Sequence, residues 1–329
     1  MKKWMQALLC AVVLIGGASL AGDFYRRGKE LEKMTPTTTA EQTAQAVIAT
    51  TQRTTTATTV TTTTKTETTG ARKTYTGLFA LQEVHFPVSD PENTRGLSTE
   101  RREHSYGVAK NGMPHDISVN FQKYFESTGY RAVTYDNKTT EKVLYLTFDC
   151  GYENGNTAKI LDVLKEKQVP AAFFSTLHHL EQEPELIARM IREGHIIGNH
   201  SDKHPDFSAI SRTRMVKEIE AVENYLRTKF GYSSKYFRFP EGKYNENALE
   251  LVDSLGMTSV FWSCSYADWD ENNPKGAQYA LDTLTARLHP GAIILLHAVS
   301  PDNTAAMADI IDTARSMGYT FRSLEDYGK

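Results

Sequence analysis

His200 and His204 lie four positions apart in Asn199-His200-Ser201-Asp202-Lys203-His204-Pro205. At that spacing one helical turn or a curled loop aims both imidazoles at a single metal ion, and zinc or a similar divalent cation is the metal such a pair implies. Asp149 ends the apolar run Val143 to Asp149. Its carboxylate therefore belongs at the rim of a core, where beside a metal it is a natural general base. Arg238 can hold that carboxylate ionised and oriented. His297 emerges from the apolar run Ala292 to His297 and can give a proton to a leaving group. Asp268 can orient its imidazole and raise its pKa by charge pairing. No Gly-x-Ser-x-Gly elbow is present and Cys150 has no base committed to it, which sets aside a serine or cysteine nucleophile. What remains is metal-assisted hydrolysis of an amide or ester. Asp149 takes a proton from the attacking water, the metal and a backbone N–H stabilise the oxyanion, and His297 protonates the departing atom.

These groups need elements that carry them to one place. After Glu141, β-rich runs at Val143 to Asp149, Ala171 to Ser175, His195 to Gly198, Tyr236 to Phe239, Ser259 to Ser263, Ala292 to His297 and Thr320 to Leu324 alternate with helical patterns. The helical patterns cover Thr157 to Lys167, Pro184 to Glu193, Thr213 to Lys229, Asn247 to Leu255, Lys275 to Leu288 and Thr304 to Met317. Apolar strands alternating with helices predict an α/β fold with a parallel sheet, either a barrel or an open doubly wound sheet. In both, chemistry gathers at the carboxyl ends of strands. Asp149, His200 with His204, Arg238, Asp268 and His297 each close or follow one.

The rest of the 329 residues bounds the function. Lys plus Arg number 37 against 40 Asp plus Glu, a formal charge of −3, so there is no basic footprint for nucleic acid, and a neutral, sugar-like substrate fits better. Three cysteines, Cys10, Cys150 and Cys264, are too few for a disulfide scaffold. Lys2 and Lys3 precede an uncharged stretch from Trp4 to Gly22, with Ser19-Leu20-Ala21 before Gly22. Residues 1–22 therefore read as an export signal or, uncleaved, as a single membrane anchor. Either reading places the protein in the cell wall or extracellular space, or on the outer face of the cytoplasmic membrane. Residues 23–72 form a Thr-rich linker that cannot build a core. Residues 73–140 regain aromatics without clear period and read as an irregular extension packed on the domain at 141–329.

In chain order, Thr147-Phe148-Asp149-Cys150-Gly151, His200 to Pro205, Arg238-Phe239-Pro240-Glu241-Gly242, Asp268-Trp269 and Leu295-Leu296-His297 resemble the motifs of the NodB-homology polysaccharide deacetylases, carbohydrate esterase family 4. The resemblance covers about residues 141–329. It implies a distorted (β/α) barrel that removes acetyl groups from N-acetylated sugars, with Asp149 as catalytic base and His297 as catalytic acid. It further implies that His200 and His204 bind the metal, Arg238 tunes the base and Asp268 supports His297. The backbone N–H of Glu241 would help hold the oxyanion, and Trp269 and Leu295 would line the acetyl pocket. Within the family, TFDCGYENG, PELIARMIREGHIIGNHS and HPGAIILLHAVSPDN are most similar to peptidoglycan deacetylases that act on N-acetylmuramic acid in spore-cortex muramic δ-lactam synthesis.

Two positions depart from the family pattern. Cys150 stands where most members carry a second aspartate that completes an Asp-His-His metal set. Its thiolate can complete a Cys-His-His site, it can be a bystander, or it can oxidise with Cys264. Glu241 stands where tyrosine or arginine is commoner, and its charge near the cleft would disfavour the lactyl carboxylate of a muramic residue. The function expected is that of an exported, monomeric, metal-dependent deacetylase of peptidoglycan, acting on muramic residues. The competing expectations are activity on N-acetylglucosamine, chitin oligomers or O-acetylated polysaccharide, and a non-catalytic wall-binding protein.

Overall fold

A computed structural model describes residues 73–329. The export-signal and linker readings fall on residues 1–72 and lie outside the described residues. Three short elements come first: β1 (Arg102–Glu103), α1 (Asp116–Thr128) and β2 (Ala132–Val133). Strands and helices then alternate: β3 (Val143–Cys150), α2 (Thr157–Lys167), β4 (Ala171–Ser175), α3 (Leu177–Gln182), α4 (Pro184–Arg192), β5 (Ile196–Asn199), α5 (Arg212–Phe230) and β6 (Tyr236–Phe237). The series continues with β7 (Lys243–Tyr244), α6 (Glu246–Ser254), β8 (Thr258–Val260), α7 (Ala277–Thr285), β9 (Ala292–His297), α8 (Pro301–Ser316) and β10 (Thr320–Phe321).

The main sheet runs β10-β3-β4-β5-β6-β8-β2 with β9 also on β3, and all its pairs are parallel. Its ends meet where Ser263 and Cys264, just beyond β8, donate backbone N–H groups to the Ile293 carbonyl of β9 at 3.0 and 3.2 Å. Leu295 donates back to the Cys264 carbonyl at 2.9 Å. The sheet is thus curled into a distorted barrel, and the open doubly wound alternative falls away.

Residue parity divides β3 between two cores, because successive side chains of a strand point to opposite faces. Leu144, Leu146, Phe148 and Cys150 pack with Ile160, Leu161 and Leu164 of α2 and Ile310 and Ile311 of α8. Val143 and Tyr145 join Phe174, Ile293 and Leu295. Thr147 and Asp149 share the parity of this second set. Side-chain caps start the helices that follow. The Asn245 Oδ1 accepts the Ala248 N–H at 2.8 Å at the head of α6, and the Ser300 Oγ accepts the Asn303 N–H at 3.3 Å at the head of α8. Gly231, in left-handed conformation, ends α5.

The extension is less irregular than its sequence suggests. Phe121 and Phe125 repeat at helical spacing in α1, and Gly129 closes it at φ 73°. Turn formers on both sides hide that period. β2 joins the barrel sheet on β8. Residues 75–89 climb along α5 from its carboxyl to its amino end: Tyr75 donates to the Lys229 carbonyl at 3.0 Å, Asn224 binds both backbone groups of Val84 (2.7 and 2.9 Å), and Arg212 Nε donates to the Ser89 carbonyl at 2.7 Å. Helix α5 leads from the end of β5 back to the start of β6, so this climb runs from the amino-end pole of the strands to their carboxyl-end rim. There β1 pairs antiparallel with β7, and His104 donates its backbone N–H to the Gly242 carbonyl at 2.9 Å.

Candidate active site

Arg238, fully buried just past the end of β6, organises one side of the site. Its Nη1 donates to Asp149 Oδ1 at 2.7 Å, its Nη2 to Thr147 Oγ1 at 2.9 Å and its Nε to the Val260 carbonyl at 2.9 Å. The guanidinium also lies 4.1 Å from the centroid of the Phe174 ring, which comes from the rung of β4 opposite Asp149. Gly198, beside that ring on β5, has no room for a side chain, since a Cβ there would meet Phe174 at 2.3 Å. Burial by itself would push the Asp149 carboxyl up. The Arg238 charge, helped by His200 and His297, more than offsets it and holds Asp149 below the usual carboxylate range.

His200 and His204 lie on a curled loop, one of the two forms their spacing allows. The loop turns through left-handed backbone at Ser201 (φ 71°) and His204 (φ 54°). Asn199 holds it by accepting the Ser201 N–H at 3.0 Å and donating to the Ile219 carbonyl at 2.9 Å, while Glu218 accepts the Lys203 N–H at 2.7 Å. His200 Nδ1 lies 2.9 Å from the Arg238 carbonyl and must donate to it, which leaves the Nε2 lone pair free, 3.6 Å from Asp149 Oδ2. The two imidazole rings meet edge-on, 4.9 Å between centroids. Desolvation lowers the pKa of both, and in His204 the neighbouring His200 lowers it further. Both rings are therefore biased toward the neutral form, the one that binds metal.

His297 occupies the rung of β9 directly opposite Asp149 on β3. Asp268 accepts its Nδ1–H at 2.7 Å and its backbone N–H at 2.8 Å. Asn303, at the start of α8, donates to the same carboxylate at 2.5 Å and in turn accepts the Tyr266 hydroxyl at 2.5 Å. Burial acts to lower the His297 pKa, but the Asp268 charge and hydrogen bond overcome it, so the net shift is upward. Two oppositely biased groups thus sit on neighbouring strands: a carboxylate biased toward its ionised form and an imidazole biased toward its protonated form. That is the disposition of a general base and a general acid.

Trp269 is 46% exposed and stands edge-on to His297, 6.1 Å between centroids. Leu295 is buried two residues below His297 on the same parity. Both can form an apolar wall beside the acid. Glu241 follows Arg238 and Phe239 in a tight turn with φ 54°, and its carboxylate is ion-paired with Lys243, which counters the negative charge expected to repel an anionic substrate. Gly242 completes the turn at φ 65°, where a Cβ would come within 3.0 Å of Trp262 and 3.1 Å of His104.

The structure does not bring Cys150 to this site. Strand parity turns its side chain away from Asp149 and into the outer core, where it is fully buried and its thiol pKa is pushed well up by desolvation. A bridge to Cys264 is excluded by the ladder. Cys264 pairs with Ile294, which pairs with Leu146, four residues below Cys150. Two strand spacings of about 4.8 Å and four rises of about 3.3 Å separate the cysteines by roughly 16 Å, against the ~7 Å limit for a disulfide. Both are free thiols. Of the three readings of Cys150, the bystander is the one this geometry supports.

Among the described residues no group of three or more histidine, cysteine, aspartate or glutamate side chains is arranged to hold a metal. The donors do fit a two-histidine site: His200 has its tautomer fixed with Nε2 free, and His204 is neutral beside it. Thr147, Asn199, Glu218, Tyr266 and Asn303 also hold the site together and were not singled out from sequence. Their signal is weak, because hydroxyl and amide residues near strand ends are common as caps and turns.

A parallel barrel whose carboxyl-end rim carries a buried Arg–Asp pair, a histidine pair and an Asp-supported histidine defines a polysaccharide deacetylase. The family model described as Polysaccharide deacetylase matches residues 136–260, and the chain belongs to this family. The chain is 46% identical over 193 residues to the peptidoglycan-N-acetylmuramic acid deacetylase PdaA of Bacillus subtilis (strain 168), covering 58% of this chain and 73% of that protein. The solved structure of Bacillus subtilis PdaA, a family 4 carbohydrate esterase, superimposes with a TM-score of 0.67 at 40% identity, covering 70% of this chain and 98% of that one. A chitooligosaccharide deacetylase of Sinorhizobium fredii (strain NBRC 101917 / NGR234) is 33% identical over 195 residues, covering 55% of this chain and 89% of that relative. The chain is accordingly a hydrolytic deacetylase of this family.

Proposed function

We propose that the protein is an exported, metal-dependent deacetylase that removes the N-acetyl group from muramic residues of peptidoglycan. The observation that carries the catalytic part is the pairing of Asp149 with His297 on one rung of the adjacent strands β3 and β9, each with its own charged partner, Arg238 and Asp268. A divalent ion held by His200 and His204 would polarise the acetyl carbonyl and lower the barrier to attack by water. Asp149 takes the proton of the attacking water at its Oδ2, since Oδ1 is committed to Arg238. His297 delivers its Nε2 proton to the departing sugar nitrogen while Asp268 holds the positive charge on the ring. Trp269 and Leu295 shield the acetyl methyl from water.

The muramic preference is supported by the similarity to PdaA and by the Glu241–Lys243 ion pair, which leaves no uncompensated carboxylate on that turn. Export is supported by the sequence pattern of Lys2 and Lys3 followed by the uncharged stretch Trp4 to Gly22. The test is acetate release and product mapping by mass spectrometry on the full chain, with peptidoglycan carrying or lacking stem peptides, and with chitin oligomers, after metal removal and after zinc return. Metal-dependent loss of acetyl from muramic residues that disappears in Asp149→Asn is the expected result. Acetate from chitin oligomers alone would reassign the substrate. A folded protein that releases none from any glycan would overturn the catalytic reading.

A further inference from the structure

The pole of the domain opposite the cleft carries chemistry that deacetylation does not use. Tyr75, Leu78, Phe79 and Leu81 are 45%, 52%, 61% and 37% exposed, a run of large apolar side chains within residues 75–81. The backbone that presents them is fixed. The Thr74 N–H donates to the Leu78 carbonyl at 2.9 Å, Thr76 Oγ1 to the Phe230 carbonyl at 2.7 Å and Arg192 Nη1 to the Tyr75 carbonyl at 3.0 Å, and Gly77 turns the chain at φ 83°. The apolar groups are therefore held outward by a built turn. Lys73, Arg192 and Lys229 surround it, and no ion pair among the described residues engages them, whereas nearby Lys165 and Arg189 share Glu193.

We propose that this pole docks on the surface of an anionic phospholipid bilayer, with Leu78 and Phe79 entering the interface and Lys73, Arg192 and Lys229 meeting the headgroups. Apolar side chains projecting from a basic surface are the composition that partitions into such an interface. The chain outside the described residues agrees with a lipid occupant: it joins the domain at this pole, at Lys73, and it contains the uncharged stretch Trp4 to Gly22. Docked this way, the carboxyl-end rim of the barrel faces away from the bilayer. The proposal goes beyond deacetylation and stands or falls independently of the glycan.

The test is hydrogen exchange on the full chain in phosphatidylglycerol-rich vesicles, in phosphatidylcholine vesicles and in detergent, read on the peptide covering residues 73–82. Exchange there slows roughly tenfold in phosphatidylglycerol only, and the slowing is lost in Leu78→Ser/Phe79→Ser and in Lys73→Glu/Lys229→Glu. Deacetylase activity is unchanged in both double variants, which shows that they fold. Equal protection in all three media would assign the face to the protein's own chain or to a second copy and overturn the proposal. Equal lack of protection in all three would overturn it as well.

Discussion

Replacing Arg238 by methionine keeps most of the side-chain volume and removes every polar contact of the guanidinium. The loss can be worked group by group. Asp149 loses its counter-ion, and the Val260 carbonyl loses a donor in a site that water does not reach, while Thr147 Oγ1 keeps the Ile294 carbonyl as its partner at 2.6 Å. One stranded carboxylate and two stranded carbonyls, that of Val260 and that of Phe261, which Nη2 reaches at 3.4 Å, add up to about 3–5 kcal/mol. For a domain of this size that lowers Tm by about 6–20 °C. The pH dependence gives a sharper test. In the native protein Asp149 has a depressed pKa, so its contribution to stability is present above the ordinary carboxylate pKa and is lost as pH falls through the depressed value. In Arg238→Met burial acts on Asp149 with its main counterweight gone, so the pKa moves up and the penalty is relieved on acidification. The Tm gap between the two proteins should therefore be widest near neutral pH and narrow as pH falls, while the acid limb of the pH–rate profile of the variant moves to higher pH. Thermal unfolding and acetate-release rates across pH check both. A Tm loss under about 3 °C, or a gap that does not change with pH, would refute the reasoning.

Asp268→Asn removes the charge that holds the His297 pKa up, leaving burial to lower it. The acid form of His297 does the work, so activity is lost as pH rises through its pKa, and the alkaline limb of the pH–rate profile should shift to lower pH with turnover down roughly a hundredfold or more. An unmoved alkaline limb would mean that His297 is not the acid. Cys150→Ala deletes a fully buried sulfur from the outer core and should cost about 1–2 kcal/mol in denaturant unfolding, with zinc affinity measured by competition titration unchanged. A tenfold weaker zinc affinity would place the thiol at the metal after all.

Much of this arrangement is legible in the sequence because strand ends announce themselves. Asp149 and His297 close apolar runs whose length and composition mark each as a strand with the polar residue at its end, and the His200–His204 spacing carries its own meaning. The extent of β8 was harder to read. The apolar run Ser259 to Ser263 continues past Val260, but the residues after it leave β6 to close the ring on β9, and a switch of partners leaves no mark in composition. For Cys150 the sequence leaves three readings open, and the structure favours the bystander. Adjacency to Asp149 suggests a shared site, yet neighbours on a strand face opposite ways, and only the packing against α2 and α8 shows which way each points. Asn303 and Tyr266 could not be found by proximity in sequence, since Asn303 acts through Asp268 and Tyr266 through Asn303, across the ends of two connections. The left-handed turns at Ser201, His204 and Glu241 lie at non-glycine residues, where local preference gives no warning of them.

The ladder between β3 and β9 also decides when the protein can act. Asp149 and His297 are separated by roughly 150 positions of chain, a span that makes their meeting a late, non-local event in folding. Strands β4 to β8 come between them in the chain and lead round the barrel, so the two residues meet only when β9 returns to pair with β3. A chain that has not yet placed β9 therefore holds Asp149 without the histidine that the proposed reaction pairs it with. The final stretch of polypeptide serves as the safety catch on the reaction.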